Sequence, residues 1–211
     1  TNSTQSTISA TITVTPSYEN NGIICDGNAE TFTITVNPSP EMDNVEDVVL
    51  CNNEISSIIE FTTPNTDGNT TYTWTNDNTS IGLSSSGNGD IPSFTAINLN
   101  PISEVATITV TPTYENNGVV CIGDPQTFSI SVLSEIGITG TTVDALDCND
   151  PNSGNINITV TGGSGVYDFL WSNGAMTEDL NNIGPGDYSV TVTDSEGCIA
   201  ISETFNIFRQ E

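Results

Sequence analysis

Apolar and polar residues alternate with a period of two through much of this chain, which is the pattern of half-buried β-strands. Clusters of Asn and Gly, such as Glu-Asn-Asn-Gly at residues 115–118, separate the alternating segments and favour tight turns. The predicted strands are residues 8–15, 31–36, 71–74, 105–111, 127–132, 156–161, 167–171, 188–193 and 199–207, with the less regular 55–61 as a further candidate. The chain is therefore predicted to be all-β.

A long internal repeat shows how these strands are organised. Residues 10–36 read ATITVTPSYENNGIICDGNAETFTITV and residues 106–132 read ATITVTPTYENNGVVCIGDPQTFSISV, an unbroken match at an offset of 96 residues. This period is the size of a small domain, and short strands with regular turns are typical of β-sandwiches. We therefore expect three units in series: residues 1–39 as the C-terminal part of a truncated repeat, 40–134 as a complete repeat, and 135–211 as a third unit of different pattern.

The charge composition excludes several classes of function. The 211 residues include 27 acidic side chains, no histidine and a single base, Arg209, for a formal net charge of -26. Such a chain repels nucleic acids and anionic membranes, and no stretch approaches the roughly 18 apolar residues of a spanning helix. General-base and nucleophilic catalysis depend mainly on His or Lys, so the protein is predicted not to be an enzyme. A carboxylate pair of the kind that glycosidases use is the remaining catalytic alternative.

The five cysteines are too widely spaced for CxxC metal sites and are best explained by disulfides, which place the protein outside the cytosol. We expect Cys51 to pair with Cys121 in the second unit and Cys148 to pair with Cys198 in the third. The repeat makes Cys25 the counterpart of Cys121, with a partner that would lie upstream of this chain. Cys25 is therefore expected to be unpaired as a result of truncation.

Three aromatic residues are expected to be structural. Trp74 and Trp171 each follow the first cysteine of their unit by 23 residues and alternate with their strand neighbours. Core packing beside a bridge, as in immunoglobulin domains, is the expected role, and exposed rings that bind carbohydrate are the alternative. Tyr188, which follows Gly186-Asp187 at a strand start, is expected to form a corner hydrogen bond.

Two acidic clusters are candidate calcium sites, because calcium takes several oxygen ligands. The first consists of Asp43, Glu46 and Asp47, and the second consists of Asp144, Asp147 and Asp150. Their spacing matches no defined calcium loop, so carboxylates that cap turns or face solvent are the alternative. No other cofactor is expected.

Four stretches of the second unit carry a family resemblance. They are residues 73–78 (Thr-Trp-Thr-Asn-Asp-Asn), residues 80–83 with 87–94, residues 106–112 (Ala-Thr-Ile-Thr-Val-Thr-Pro), and Cys121 with Gly123 and Thr127-Phe128. Through them the unit resembles the PKD-like repeats of large secreted adhesins of Bacteroidetes.

The third unit has a different set of family motifs. They are Cys148, Gly162-Gly163, Tyr167, Trp171-Ser172-Asn173-Gly174, Leu180, Gly186, Tyr188, residues 190–194 and Gly197-Cys198. These residues resemble the SprB repeat of gliding-motility adhesins, with Asp168 as a departure from the pattern. The resemblance implies tandem immunoglobulin-like (PKD-like) β-sandwich domains, type 9 secretion and display on the outer surface of a bacterial cell. It supplies no catalytic residues.

The leading hypothesis is a non-catalytic stalk segment of a large secreted cell-surface adhesin that serves attachment and gliding motility. Neighbouring repeats of the same chain are the expected partners, with surface glycans or other cell-surface proteins as further candidates. The alternative is a carbohydrate-binding ancillary module of a secreted enzyme. A truncated first unit would also offer an open sheet edge that accepts a strand from another chain.

Overall fold

The computed structural model describes residues 2–145 and 152–209. Cys148, Asp147 and Asp150 lie outside the described residues. Within those two ranges the regular structure consists of β-strands and one short 3-10 turn. The predicted all-β class is therefore confirmed, and the strands fall into successive units along the chain.

The first unit consists of two antiparallel strand pairs. Its strands are β1 (Ile8–Val14), β2 (Ser17–Asn20), β3 (Ile23–Asp26) and β4 (Glu30–Val36). β1 pairs with β4, and β2 pairs with β3. The two-residue turn Asn21-Gly22 joins β2 to β3 with φ angles of 50° and 79°. Both angles are positive, as a tight Asn-Gly hairpin requires.

The second unit is built on one large sheet. Its strands are β5 (Val48–Leu50), β6 (Asn69–Asn76), β7 (Ser86–Asn88), β8 (Glu104–Asn116), β9 (Val119–Ile122) and β10 (Gln126–Val132), with the 3-10 turn Thr79–Ile81 after β6. The strand order is β5-β10-β8-β6-β7, and β9 adds to the end of β8 through an Asn117-Gly118 hairpin. β5 runs parallel to β10, and the other pairs are antiparallel.

Residues 55–61 do not form the predicted strand. They meet the segment 91–96 only through isolated bridges, Ile55↔Thr95 and Ile59↔Ile91. The reason is in the spacing, because the apolar residues of 55–61 do not recur with a period of two. This irregular pair of segments nevertheless contributes to the core of the second unit.

Alternate residues of β6, β8 and β10 point into one core in the second unit. The buried residues are Met42, Leu50, Phe61, Tyr72, Trp74, Ile81, Leu83, Ile91, Ala96, Ala106, Ile108, Val110, Phe128, Ile130 and Val132. Those up to Ala96 form the front part of the repeat, and those from Ala106 onward form the back part. The two parts bury each other's apolar faces.

The third unit is a smaller sandwich. Its strands are β11 (Gly137–Val143), β12 (Gly154–Thr161), β13 (Tyr167–Trp171), β14 (Leu180–Ile183), β15 (Gly186–Tyr188), β16 (Val190–Asp194), β17 (Ile199–Ile201) and β18 (Phe205–Ile207). They form the sheets β11-β12-β14 and β13-β16-β17 and the pair β15-β18. The predicted strands 188–193 and 199–207 are each divided in two in the structure. Trp171 lies 6.0 Å, between ring centroids, from Phe205 in the core.

We expect Gly87→Ala to destabilise the second unit. Gly87 lies against the buried ring of Trp74, and an added Cβ would come within 2.3 Å of that ring. Overpacking of this kind costs about 1–3 kcal/mol. Thermal unfolding followed by tryptophan fluorescence measures the effect, and the exposed neighbour Ser86→Ala is the matched control. Equal melting temperatures for the two variants would contradict the prediction.

Candidate functional site: the bridged junction and the open sheet

A disulfide joins the second unit to the third. Cys51 directly follows β5, and Cys198 lies in the turn between β16 and β17. Their Cα atoms are 5.6 Å apart, and they are separated by 147 residues in sequence. Cys51 is partly buried against the core of the third unit, to which Cys198 belongs. The bridge therefore ties one unit to the next rather than closing either unit on itself.

The predicted bridges within units, Cys51 with Cys121 and Cys148 with Cys198, are both wrong. Cys198 bonds to Cys51 instead, and Cys121 is a free thiol. Cys25 is also a free thiol and is exposed. The cause of the different pairing lies in the direction of the strands.

The two cysteines of the second unit lie at opposite poles of its sheet. Leu50 pairs with Val132, which in turn pairs with Glu104 at the start of β8. Cys121 pairs with Tyr114 near the end of β8. Ten residues of an extended strand separate these two levels, which corresponds to about 34 Å. Since the Cα atoms of a disulfide lie within about 7 Å of each other, the cysteine after β5 cannot reach Cys121.

The turn that presents Cys198 is held by the buried carboxylate of Asp194. Oδ1 of Asp194 accepts hydrogen bonds from the N–H groups of Glu196 (3.0 Å) and Cys198 (2.8 Å). Oδ2 accepts one from the N–H of Ser164 (2.9 Å). A buried carboxylate needs such donors to offset its lost hydration. Sequence reasoning missed this positioning residue, although the Asp-x-x-Gly-Cys spacing of residues 194–198 was the available signal.

The chain between these two units is short and buried. Leu133 and Ile136 belong to the core of the third unit, and the N–H of Leu133 donates to the carbonyl of Leu50 over 2.9 Å. The carbonyl of Ser134 accepts from the N–H of Gly163 over 3.0 Å. The junction therefore has two connections, the packed linker and the Cys51–Cys198 bond.

The acidic candidates act as hydrogen-bond acceptors within the fold. Asp43 accepts from Thr62 Oγ1 (2.6 Å), Glu46 from Asn44 Nδ2 (2.7 Å), Asp47 from Ser129 N (2.7 Å) and Asp144 from Phe208 N (2.9 Å). Across residues 2–145 and 152–209, no three His, Cys, Asp or Glu side chains are grouped to hold a metal ion. Calcium binding stays a prediction for both clusters, and Asp147 and Asp150 of the second cluster are not among the described residues.

The aromatic residues singled out by the sequence are packed inside their units. Trp74 and Trp171 are both buried, and Nε1 of Trp171 donates to the carbonyl of Thr177 over 2.8 Å. Neither ring is open to solvent, so neither can stack on a sugar. Tyr188 is half-buried, and its hydroxyl donates to the carbonyl of Gly184, four residues earlier, over 3.0 Å.

The two strand pairs of the first unit expose residues whose counterparts in the second unit are buried. Tyr18 is 69% exposed and its counterpart Tyr114 is 0% exposed, while Ile34 is 48% exposed and Ile130 is 0% exposed. We call this surface the open face; it consists of Val14, Tyr18, Phe32, Ile34 and Val36. In the second unit the front part of the repeat covers the equivalent surface.

In the part of the chain that the structure describes, no helix has the length and apolar character needed to cross a bilayer.

Comparison with known proteins identifies one family match. The SprB repeat model matches residues 139–176, a segment that begins within β11 and ends shortly after β13. The third unit is thus similar to the SprB repeat over this segment, as the sequence motifs indicated. The match covers a small part of the chain. No curated protein sequence matches the chain at a significant level.

Several solved structures align with the chain. A C-terminal 282-residue fragment of intimin, solved in complex with the intimin-binding domain of the translocated intimin receptor, is 14% identical with a TM-score of 0.46, covering 80% of this chain and 63% of that one. Extracellular domains 3–5 of Drosophila OTK are 13% identical with a TM-score of 0.27, covering 78% and 62%. The human desmocollin-1 ectodomain is 12% identical with a TM-score of 0.28, covering 86% and 40%. The chain spans less than two thirds of each of these structures.

We expect Asp47→Asn to reduce the acid sensitivity of the second unit. The backbone N–H of Ser129 donates to Asp47 and lowers the pKa of that carboxyl below its ordinary value of 3.8. The charged form therefore stabilises the fold above that ordinary value, and the contribution is lost as the pH falls through the lowered pKa.

The measurement is the difference in melting temperature between the wild type and Asp47→Asn from pH 7 to pH 2. The wild type should melt at the higher temperature near neutrality, and the difference should shrink on acidification. A difference that stays constant or grows at low pH would show that the Asp47 charge does not stabilise the fold.

Proposed function

We propose that this chain is a non-catalytic spacer segment of a large secreted bacterial adhesin, exported by type 9 secretion and displayed at the outer membrane for attachment and gliding. The observation that carries the proposal is the disulfide between consecutive units, in a chain whose third unit matches the SprB repeat. A disulfide of this kind persists in oxidising surroundings outside the cell. Sandwich units in series, with packed junctions, suit a role in which length and strength matter.

The bridge gives this spacer a defined path for tension. A force applied to the two ends of the chain reaches Cys51, crosses the S–S bond and leaves from Cys198. The residues between them lie inside a covalent loop and carry no backbone tension. Only the short segments outside the loop, which include β5 and β18, can be drawn out of the second and third units. The bridge also favours the folded state by about 5 kcal/mol in the chain-entropy model, because it closes a loop of 147 residues.

Charge adds a second property that suits a displayed surface protein. The chain carries 27 acidic residues and one base. Neighbouring copies on a crowded surface repel each other, which keeps them soluble and separate. This repulsion requires no specific cationic partner.

We expect single-molecule stretching to show that the residues between Cys51 and Cys198 do not extend under force while the disulfide is intact. Pulled by its ends, the oxidised chain should be about 500 Å shorter at full extension than the Cys51→Ser variant, at roughly 3.4 Å for each of the hidden residues. Cys121→Ser is the matched control and should leave the final length unchanged. If bridges within units were present instead, Cys121→Ser would release about 240 Å.

The adhesive role is tested in the bacterium that encodes the chain. An antibody raised against this segment should label intact cells. Replacing residues 40–211 in the parent protein by unrelated sandwich domains of equal length should preserve attachment and gliding, whereas deleting them should weaken both. Absence of surface labelling would overturn the proposal. Loss of attachment in the replacement would show that the segment itself binds the target.

A further inference from the structure

We infer that the open face of the first unit is a binding surface for the front part of a repeat, a polypeptide segment of the type of residues 40–96, and that the cysteine of this segment forms a disulfide with Cys121. The inference rests on the repeat and the strand geometry and does not depend on the adhesive role. Two separate observations lead to it, namely the exposed apolar sheet and the free thiol at the opposite side of the same junction.

The first observation concerns what the open face lacks. In the second unit, β6 pairs along β8 from Asn69↔Glu115 to Asn76↔Ile108, and β5 pairs along β10. In the first unit the sheet consists of β1 and β4 alone. Both outer edges of this pair are therefore open. Between β1 and β2 the strand is interrupted at Pro16. The equivalent residue of the second unit, Pro112, lies within the continuous strand β8 and pairs with Tyr72. A segment that covers this face must supply apolar side chains at alternate positions and two strands that extend the sheet at its edges. The front part of the repeat has both.

The pole of the first unit is already built to receive that segment. Nδ2 of Asn98 donates to the carbonyls of Val132 (2.9 Å) and Ile102 (2.8 Å) at the exit of the second unit. Asn2, the counterpart of Asn98, makes the same two bonds, to the carbonyls of residues 36 (3.0 Å) and 6 (2.7 Å). The first unit therefore has the local structure of a complete repeat at the end where it meets the second.

That pole determines where the cysteine of the added segment would lie. In the second unit, the residue after Cys51 fixes the front part to this pole, because Oδ1 of Asn52 accepts from the N–H of Asn98 over 2.8 Å. The equivalent bond in the first unit would go to the N–H of Asn2. The counterpart of Cys51 would then stand at the junction between the first and second units.

The second observation is that Cys121, a free thiol, lies on the other side of this junction. Cys121 pairs with Tyr114, whose hydroxyl donates to the carbonyl of Thr66 over 2.7 Å, and the N–H of Thr66 donates to the carbonyl of Gln5 in the first unit over 2.8 Å. The neighbouring Gly123 packs against Pro40 in the linker. Cys121 thus lies at the end of the second unit that faces the first, just as Cys198 lies at the end of the third unit that faces the second.

Both cysteines follow the strand that ends at the pole facing the preceding unit, Cys198 after β16 and Cys121 after β8. The same rule then applies at each junction: the cysteine after the first strand of one unit bonds to the cysteine that, in the next unit, follows the strand ending at the junction. Formation of the bond removes two protons and two electrons from two thiols. A disulfide oxidant such as oxidised glutathione accepts them and leaves as two thiols.

The test is a chain in which a second copy of residues 40–96 is placed directly before Thr1, which restores the register of the repeat. The added copy carries Val49→Ile so that its peptides are distinguished by mass. After oxidative refolding with glutathione, peptide mapping should find the added Cys51 bonded to Cys121, the original Cys51 bonded to Cys198, and Cys25 reduced. Amide exchange in residues 8–36 should slow to the rate of residues 104–132.

Two matched variants separate packing from bonding. With Cys51→Ser in the added copy, residues 8–36 should remain protected while Cys121 stays free. Ile34→Ser should abolish the protection in the extended chain but leave the melting temperature of the original chain unchanged, whereas Ile130→Ser should lower it in both. The inference would be overturned by a bond between the added Cys51 and Cys25. It would also be overturned if the original Cys51–Cys198 bond forms in the extended chain but residues 8–36 still exchange rapidly.

Measurements on the original chain supply an independent check. Its residues 8–36 should exchange rapidly at every concentration, with a monomeric mass by light scattering. Slow exchange in the monomer would mean that the face is not open. Concentration-dependent protection with a dimeric mass would identify a second copy of this chain as the occupant and overturn the inference.

Discussion

The parallel pairing of β5 with β10 is the constraint on which the arrangement of units depends. Only three residue pairs form it, yet it directs the end of β5 to the pole where the chain leaves the second unit. An antiparallel β5 would instead direct its end toward the other pole, where the hairpin carries Cys121. Because β5 runs parallel to the last strand, its cysteine faces the next unit, and the disulfide becomes a connection between units.

The repeat also shows that burial follows from context as well as from sequence. Tyr18 and Tyr114 occupy the same position in nearly identical sequences, and both are followed by the same Asn-Gly hairpin. Tyr114 is buried because the segment before β6 covers its ring: the hydroxyl donates to the carbonyl of Thr66, and Gly68 lies against the ring. Tyr18 is exposed because the two hairpins of the first unit have no second layer among the described residues. Local sequence is enough to form the strand pairs, whereas the core requires both parts of the repeat.

Much of the fold could be predicted from the sequence because strands carry a local signal. Alternation located β1, β4, β6, β8 and β10, and Asn-Gly pairs located the turns. The burial of Trp74 and Trp171 followed from the same alternation. β5 was not predicted because three residues are too few to show a period. The bridge was assigned wrongly because the spacing of cysteines contains no information on strand direction. Once β8 is known to run about 34 Å from one cysteine level to the other, a bond within the unit is excluded.

Composition explains why the junctions take this form. Neighbouring domains are often held together by ion pairs across their interface, but this chain has no lysine and a single arginine near its C-terminal end. Acidic groups on two adjacent units therefore meet no opposite charge, and at physiological salt they repel each other over about 8 Å. Besides hydrogen bonds between neutral groups, two means of attachment remain available to such a chain, apolar burial of the linker and a covalent bond. The junction between the second and third units uses both, with Leu133 and Ile136 in the core and Cys51 bonded to Cys198 beside them. The same composition therefore has two consequences. The excess of acidic residues keeps copies of the chain apart, and the lack of basic residues leaves adjacent units without ion pairs, so that a disulfide holds them together.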